Sequence, residues 1–407
     1  MLKLSRHRNL AHVLAQCAPV QYRSLGSQTP FDLEPEAQDD KYADLNTMYS
    51  QMFTEGGKSA KRAASQPSNN SFDIDALNAE IAEAYNFAPR PISGDFFEQI
   101  VKSPGRFIIQ SLSTNPYYNL ALEEYVFRNT PAPKGKLFSN ERLLFYVNDK
   151  CVVIGKNQTP WKELFLDNCE TKGYKYVRRR SGGGAVVHDL GNVNYSYLTS
   201  RDNFQREYFN KQIVHWLTDL RPEAEIHLNH RGDIHLNDFK VSGSAFKIAM
   251  GKSYHHGTML INSDLSSFKG LLKPDNVEHI SWSGGSVESV RSNVSNMKEA
   301  GFSSTDEFIN ICTDGFRRTM QEEVPVYLVD ETTTTTDQLS KNTKDLASGE
   351  WLYESGPSFS VTIAHHSISV VKGVIKESTI PGCTGQHFKD FVNLLRQNQI
   401  LGVNVKI

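Results

Sequence analysis

Residues Arg178 to Asn194 read RRRSGGGAVVHDLGNVN. Three arginines lead straight into three glycines, and an apolar pair then gives way to His188 and Asp189. Glycine tolerates positive φ and lets backbone N–H groups come close to a ligand. Successive N–H groups in such a bend form an anion-binding hollow, and adjacent guanidiniums add bidentate positive charge. The stretch therefore points to a bound nucleotide phosphate or carboxylate rather than to a plain hinge. KYVRRR before the glycines and AVVH after them both read as strands, so the loop joins two strands.

Working outward toward the N-terminus, Thr159-Pro160 starts a helix that Gly173 stops. LLFYV (Leu143 to Val147) and CVVIG (Cys151 to Gly155) are apolar runs whose Asn148-Asp149-Lys150 connection carries the chemistry of a hairpin. RFIIQSL (Arg106 to Leu112) predicts a strand and NPYYNLALEEYVFRN a helix with Leu120, Leu122 and Phe127 inward. Residues 31–105 are polar, with SAKRAASQPSNNS (Ser59 to Ser71) the least foldable part. Such composition buries too little apolar area to offset chain ordering, so this stretch is expected to be mostly disordered, with a short helix at Asp75 to Tyr85. Residues 1–30 hold Lys3, Arg6, Arg8 and Arg23 but no acidic residue, and Leu2, Leu4, Leu10, Val13 and Leu14 can share a helix face. That is the make-up of a mitochondrial transit peptide.

Toward the C-terminus, Phe209, Ile213, Trp216, Leu217 and Leu220 fall on one face of a helix predicted over Gln205 to Leu220. Strands AEIHL, DIHL, FKVSGSAFKI and SYHHGTMLI follow. Ser304 with Glu307 forms a capping box for a helix burying Phe308, Ile311, Cys312 and Phe316. The TTTTT tract (Thr332 to Thr336) and its polar continuation read as a structureless linker over 331–349. Beyond it, residues 350–407 contain an alternating stretch, FSVTIAHHSISVVKGVIKESTI, expected to form two strands. HFKDFVNLLRQ is an amphipathic helix with Phe388, Phe391, Leu394 and Leu395.

Composition narrows the function. A formal charge of −2 gives no global attraction to nucleic acid or to anionic membrane, so any basic chemistry is local. No apolar run approaches the ~18–20 residues of a spanning helix. Cys17, Cys151, Cys169, Cys312 and Cys383 are scattered, without zinc spacing, and read as reduced intracellular thiols. Neither GKS triplet (Gly57 to Ser59, Gly251 to Ser253) has the preceding glycine of a phosphate-binding Walker loop. His188-Asp189 has no serine in a nucleophile elbow to serve. His255 and His256 are adjacent on a strand and so face opposite ways, which disfavours a shared metal and leaves one of them to line a pocket.

FKVSGSAFKI (Phe239 to Ile248) is the second informative segment. Lys240 precedes the small residues Ser242, Gly243, Ser244 and Ala245, which let a ligand lie against the strand. A lysine there is a compact point charge able to meet a carboxylate and a phosphate together. Asp233 is the candidate for orienting a metal or an incoming amine.

Taken in order, VVIGKNQTPWKE (Val152 to Glu163), RRRSGGGAVVHDLGNVN, KVSGSAFK, YHHGTMLIN (Tyr254 to Asn262) and SVRSNVSN (Ser289 to Asn296) resemble the successive motifs of lipoate–protein ligase A and its eukaryotic lipoyltransferase relatives, with a fungal mitochondrial member as the nearest type. The resemblance implies an α/β (α+β) fold shared with biotin ligases and class II aminoacyl-tRNA synthetase cores. Mixed β-sheets flanked by helices would occupy residues 106–330, with a small C-terminal β+α domain. It also implies a two-step reaction using ATP and Mg2+, in which lipoate or an octanoyl group becomes an acyl-adenylate. The acyl group then passes to a lysine of a lipoyl domain. Expected acceptors are 2-oxoacid dehydrogenase E2 subunits and the glycine-cleavage H protein in the mitochondrial matrix, with no nucleic-acid or membrane partner.

By the same resemblance, Arg179, Gly184, Ala185, Val186 and Val187 would hold the nucleotide. Lys240 would bridge lipoate and phosphate as the catalytic residue. Asn192 and His256 would line the acyl site, with Asp233 near the metal or amine. No cysteine lies between Glu170 and Ile311, where related octanoyltransferases carry a thioester-forming one. Lys156, Arg180 and Gly232 depart from the family pattern, and the C-terminal module is short. An alternative is therefore a transferase taking lipoyl or octanoyl groups from a carrier protein, CoA or lipoyl-AMP. A non-catalytic lipoyl-domain-binding protein is a third reading. Biotin ligase is disfavoured by the KVSGSA and RRRSGGG pair.

Overall fold

Apolar runs broken by Gly, Asn and Asp become strands, and the capped amphipathic runs become helices. The computed structural model describes residues 89–133, 138–274 and 277–397. The chain divides into units Met1–Asn86 and Phe87–Ile407, and all described residues belong to the second. The transit-peptide reading and the helix expected at Asp75 to Tyr85 lie outside them.

In chain order the elements begin with β1 (Arg90–Pro91), α1 (Gly94–Lys102), β2 (Phe107–Ser111), α2 (Pro116–Asn129), β3 (Arg142–Val147) and β4 (Cys151–Ile154). Two short helices, α3 (Pro160–Glu163) and α4 (Leu166–Thr171), precede β5 (Lys175–Arg178), β6 (Val186–His188) and β7 (Asn192–Ser200). Next come α5 (Tyr208–Leu220), β8 (Ile226–Leu228), β9 (Ile234–Leu236), β10 (Phe239–Lys240), β11 (Ser244–Ala249) and β12 (Lys252–Leu260). The rest is β13 (Ile280–Gly284), α6 (Thr305–Met320), β14 (Val326–Val329), α7 (Asp337–Ala347), β15 (Phe359–Ile363), β16 (His366–Val371), β17 (Val374–Ser378) and α8 (Phe388–Arg396).

The main sheet has seven strands in the order β1-β14-β2-β3-β7-β12-β11. Its β1-to-β3 part is parallel and its β3-to-β11 part antiparallel. Side chains alternate across it with period two. Leu143 and Phe145 join a core with Phe209, Ile213 and Trp216 of α5 and Phe308, Cys312 and Phe316 of α6. Leu144 lies in a second core with Phe97 and Val101 of α1, Leu120 and Tyr125 of α2, and Leu339 and Leu346 of α7. Burial on both faces explains why these strands read as continuous apolar runs. The architecture is thus mixed α/β, with several mixed sheets flanked by helices.

Three smaller sheets complete it: β5-β4-β6, β10-β9-β8 and β13-β15-β16-β17. The third core unites Val152, Ile154 and Trp161 with Phe359, Phe388 and Phe391. The capping box at α6 forms as read, with the Ser304 hydroxyl accepting from Glu307 N at 3.0 Å.

Several expectations are corrected. Asn148-Asp149-Lys150 does not close a hairpin, because β3 and β4 belong to different sheets. Asn148 is fully buried, and its side chain bonds Asn119 (2.9 Å) and His188 (3.0 Å). Part of the 31–105 stretch is ordered, since Ser93 caps α1 and Phe97 and Val101 are fully buried. The 331–349 stretch is not structureless: Thr336 caps α7, and Thr334 is buried with its hydroxyl on Ile92 O at 2.6 Å. The C-terminal module has three strands rather than two, and it borrows β13 from the preceding region. FKVSGSAFKI splits at Val241 to Gly243, placing Lys240 and Ser244 in different sheets. Leu220 is exposed, while the other four apolar residues of its stripe are buried.

Candidate active site

The glycine loop runs from the end of β5 across β4 to β6, which pair with β4 on opposite sides. Of its three glycines only Gly183 has positive φ, at 93°. A Cβ on Gly155 would stand 2.0 Å from Gly183 O, so the loop rests directly on the end of β4. The N–H groups of Gly182, Gly183 and Gly184 have no acceptor among the described residues. That is the donor array an anion needs.

Two of the arginines serve the scaffold. Arg178 is fully buried and donates to the carbonyls of Gly155, Lys156, Gln158 and Leu352. Arg179 donates to the carbonyls of Val153, Gly182 and Gly184 and to Ser181 Oγ. Burial lowers both guanidiniums to about 10, which leaves them charged near neutrality. Arg180 lies over the Trp351 ring, 4.5 Å from its centroid. Arg179 thus shapes the loop by holding its carbonyls inward.

Behind the loop is a sealed polar chain. His256 Nδ1 meets both Glu123 carboxylate oxygens at 2.9–3.0 Å, and its Nε2 lies 2.8 Å from Ser181 Oγ. Arg179 Nε donates to that same Oγ at 3.0 Å. With Nδ1–H directed at Glu123, Nε2 accepts the Ser181 proton, and every hydrogen in the chain has one direction. A hydroxyl–imidazole–carboxylate relay suggests a nucleophile, but Ser181 is 2% exposed and is occupied by Arg179. The relay positions a guanidinium.

In front of the loop is a cavity of about 360 Å3. Ala185, Val186 and Val187 line it from the loop side, and Lys240, Ser242, Gly243 and Thr258 from the other. Lys240 Nζ contacts Asp233 Oδ2 at 2.7 Å. The chain from Gly285 to Asn296 forms a further wall: Lys240 N donates to Asn293 O, and Ser295 N to Lys240 O. Ser289 ties this wall to the loop, since its Oγ accepts from Ala185 N (2.9 Å) and Gln158 Nε2 (3.0 Å) and donates to Glu163 (2.7 Å). Burial raises the Glu163 carboxyl against the opposing pull of the Ser289 hydrogen bond.

The structure therefore brings together Lys240, Ala185, Val186 and Val187 around one space, and Asp233 reaches it only as the partner of Lys240. Gly184 adjoins it, with its Cβ position 3.0 Å from Ser289 Cα. Arg179, Asn192 and His256 are not on the lining. Asn192 is fully buried, and its Oδ1 has no partner among the described residues. His255 and His256 point to opposite faces as read, toward Ser244 and Ser181 respectively, and neither lines the cavity. Glu163, Ser289 and Lys273 are lining residues to which the sequence reading assigned no role. Glu163 and Ser289 stood inside quoted motifs. Lys273, in the apolar run Leu271-Leu272-Lys273-Pro274, was visible only as a charge out of place.

No group of three or more His, Cys, Asp or Glu side chains among the described residues could hold a metal ion. Magnesium is often held by one or two carboxylates plus substrate phosphates, and Asp233 could supply one such ligand. The four described cysteines are buried and unpaired.

A family model described as the lipoyl protein ligase A/B catalytic domain matches residues 115–317. A Saccharomyces cerevisiae (strain S288c) protein named for lipoate-protein ligase A is 46% identical over 371 residues, covering 87% of this chain and 89% of that one. The human mitochondrial lipoyl amidotransferase LIPT1 is 32% identical over 273 residues, covering 66% and 70%. Among solved structures, P. falciparum LipL1 in complex with lipoate superposes with a TM-score of 0.54 at 25% identity, covering 67% of this chain and 84% of that one.

Proposed function

This chain belongs to the lipoate–protein ligase A family, and we propose that it activates lipoate with ATP and transfers the lipoyl group to the acceptor lysine of lipoyl domains. Membership makes it a ligase or a closely related lipoyltransferase, and the donor distinguishes the two. The observation that carries the ligase reading is the shared cavity, lined by Lys240 and by the Ala185–Val187 segment that follows three glycines whose N–H groups have no acceptor among the described residues.

In the first step a lipoate carboxylate oxygen attacks the α-phosphorus and pyrophosphate leaves. Two anions must meet, so fixed positive charge and directed N–H groups lower the barrier. Lys240 sits between the reacting groups and neutralises both, and Asp233 holds its ammonium in place. Asp233 would be the protein ligand of a magnesium ion shared with the nucleotide phosphates, which would supply positive charge toward the pyrophosphate. In the second step the acceptor amine attacks the acyl carbon, an amide bond forms and AMP leaves. No enzyme nucleophile is required. The expected setting is the mitochondrial matrix, with E2 lipoyl domains and the glycine-cleavage H protein as acceptors.

A second reading is favoured by Arg179, whose guanidinium is spent on backbone carbonyls and leaves fewer cations for a triphosphate. On that reading the donor arrives preactivated, and the human relative is itself named as a lipoyl transferase, the lipoyl amidotransferase LIPT1. Purified protein with an apo lipoyl acceptor and either lipoate plus Mg-ATP, lipoyl-AMP or octanoyl-CoA tests the choice. Product with lipoate plus Mg-ATP is expected. Product only from the preactivated donors removes the ligase reading and leaves the transferase. Lys240→Ala should lower turnover by about a hundredfold or more with the fold intact.

A further inference from the structure

Lys273 is 3% exposed, yet it lines the cavity. Its Nζ donates to Trp161 O at 2.6 Å, and the Phe165 ring lies 5.6 Å away. An ammonium carries three donors, so two of them have no acceptor among the described residues. The other lysines of the cavity differ: Lys162 is paired with Glu288 at 2.9 Å and Lys240 with Asp233 at 2.7 Å. Glu163, an acid of the same lining, is engaged by Ser289 (2.7 Å) and bonds Lys273 through the backbone, where Lys273 N donates to its carbonyl at 2.8 Å.

We infer that Lys273 is an anion-binding residue of this cavity and holds the phosphate of a bound adenylate. The inference rests on the nucleotide reading given above. A lysine stem could snorkel its head into water at little cost, but this head is held against a carbonyl in a buried residue that lines the cavity. Three lysines and Arg291 line the cavity with two acids, Glu163 and Glu288, while Asp233 pairs with Lys240. A phosphate, with three acceptor oxygens against a carboxylate's two, makes fuller use of the two remaining Lys273 donors. Burial lowers this ammonium to about 7, with no charged neighbour contributing. A phosphate brought within reach supplies the missing counter-charge and raises the affinity for a proton. Binding of the anion then draws a proton onto Lys273.

Calorimetric titration of the full chain with AMP at pH ~8, in two buffers of different ionisation enthalpy, counts that proton. Uptake approaching one proton per AMP is expected, because a lysine near 7 is mostly neutral at that pH. Lys273→Met should abolish the uptake and weaken AMP binding by about tenfold, on the order of one charge-assisted hydrogen bond. An unchanged melting temperature of the free variant shows that its fold is intact, and if it fails to fold, the wild-type proton count alone decides. AMP binding without proton uptake overturns the inference and leaves the nucleotide reading standing. Failure of both AMP and ATP to bind overturns both. Proton uptake with lipoate alone, and none with AMP, overturns the assignment to phosphate.

Discussion

His188 and His255 are kept neutral at a cost the rest of the fold must cover. Burial pushes both imidazoles down to about 3, helped by Arg179 and His256 around His188 and by His256 and Arg206 around His255. Each ring has a nitrogen without a partner among the described residues, Nε2 of His188 and Nδ1 of His255. In an unfolded chain both titrate near ~6.5. Between those values the unfolded chain binds protons that the folded chain refuses. Stability is therefore fully present above pH ~6.5 and is lost as pH falls through that window. Each histidine withdraws on the order of 2 kcal/mol by pH ~5. Urea unfolding at pH ~7 and ~5 should show the midpoint dropping in acid, and His188→Gln should remove about half of that drop. Equal midpoints at the two pH values would show that these rings are not held neutral.

At the scale of elements, the glycine loop and the end of β4 form one interlocked piece. The contact at Gly155 is backbone against backbone, so an added methyl has no flexible neighbour to displace. Gly155→Ala should cost about 1–3 kcal/mol by overpacking and should disturb the N–H array together with nucleotide binding. Gly182→Ala is the matched control, because nothing lies within 4 Å of its added Cβ and its φ is not positive. Equal AMP affinity for the two variants would show that the seat on β4 does not set the shape of the site. This loop was legible in the sequence because three consecutive glycines after three arginines have no packing reason to exist, and Lys240 because the small residues after it vacate space. Asn148 shows where local reading stops. Its neighbours have turn chemistry, but its side chain answers to Asn119 and His188, which the fold brings together from distant positions. The helix after the threonine tract was hidden for a related reason. Only Leu339 and Leu346 of α7 are buried, too sparse a stripe to outweigh the polar residues around them.

Over the molecule as a whole, residues beyond 349 are built into the site's foundations rather than appended to it. Leu352 O accepts two of the bonds that hold Arg178, at 3.0 and 2.7 Å, so the strand leading into the glycine loop is anchored from the C-terminal side. Trp161, 1% exposed, stacks on Tyr353 with centroids 5.2 Å apart and meets Phe388 edge-on at 4.9 Å. β13 hydrogen-bonds β15, so the C-terminal sheet is completed by a strand that lies before α6 in the chain. Removal of 350–407 would uncover the apolar face of Val152, Ile154 and Trp161 and leave a fully buried guanidinium short of acceptors. Both are among the few changes large enough to unfold a domain of ordinary stability. A chain ended at residue 349 should be insoluble on expression, and the milder Phe388→Ala should cost about 3–5 kcal/mol by urea unfolding. A soluble truncated chain that unfolds cooperatively at the full-length midpoint would show the module to be separable. It would also remove the argument that a short C-terminal region can still brace the nucleotide loop.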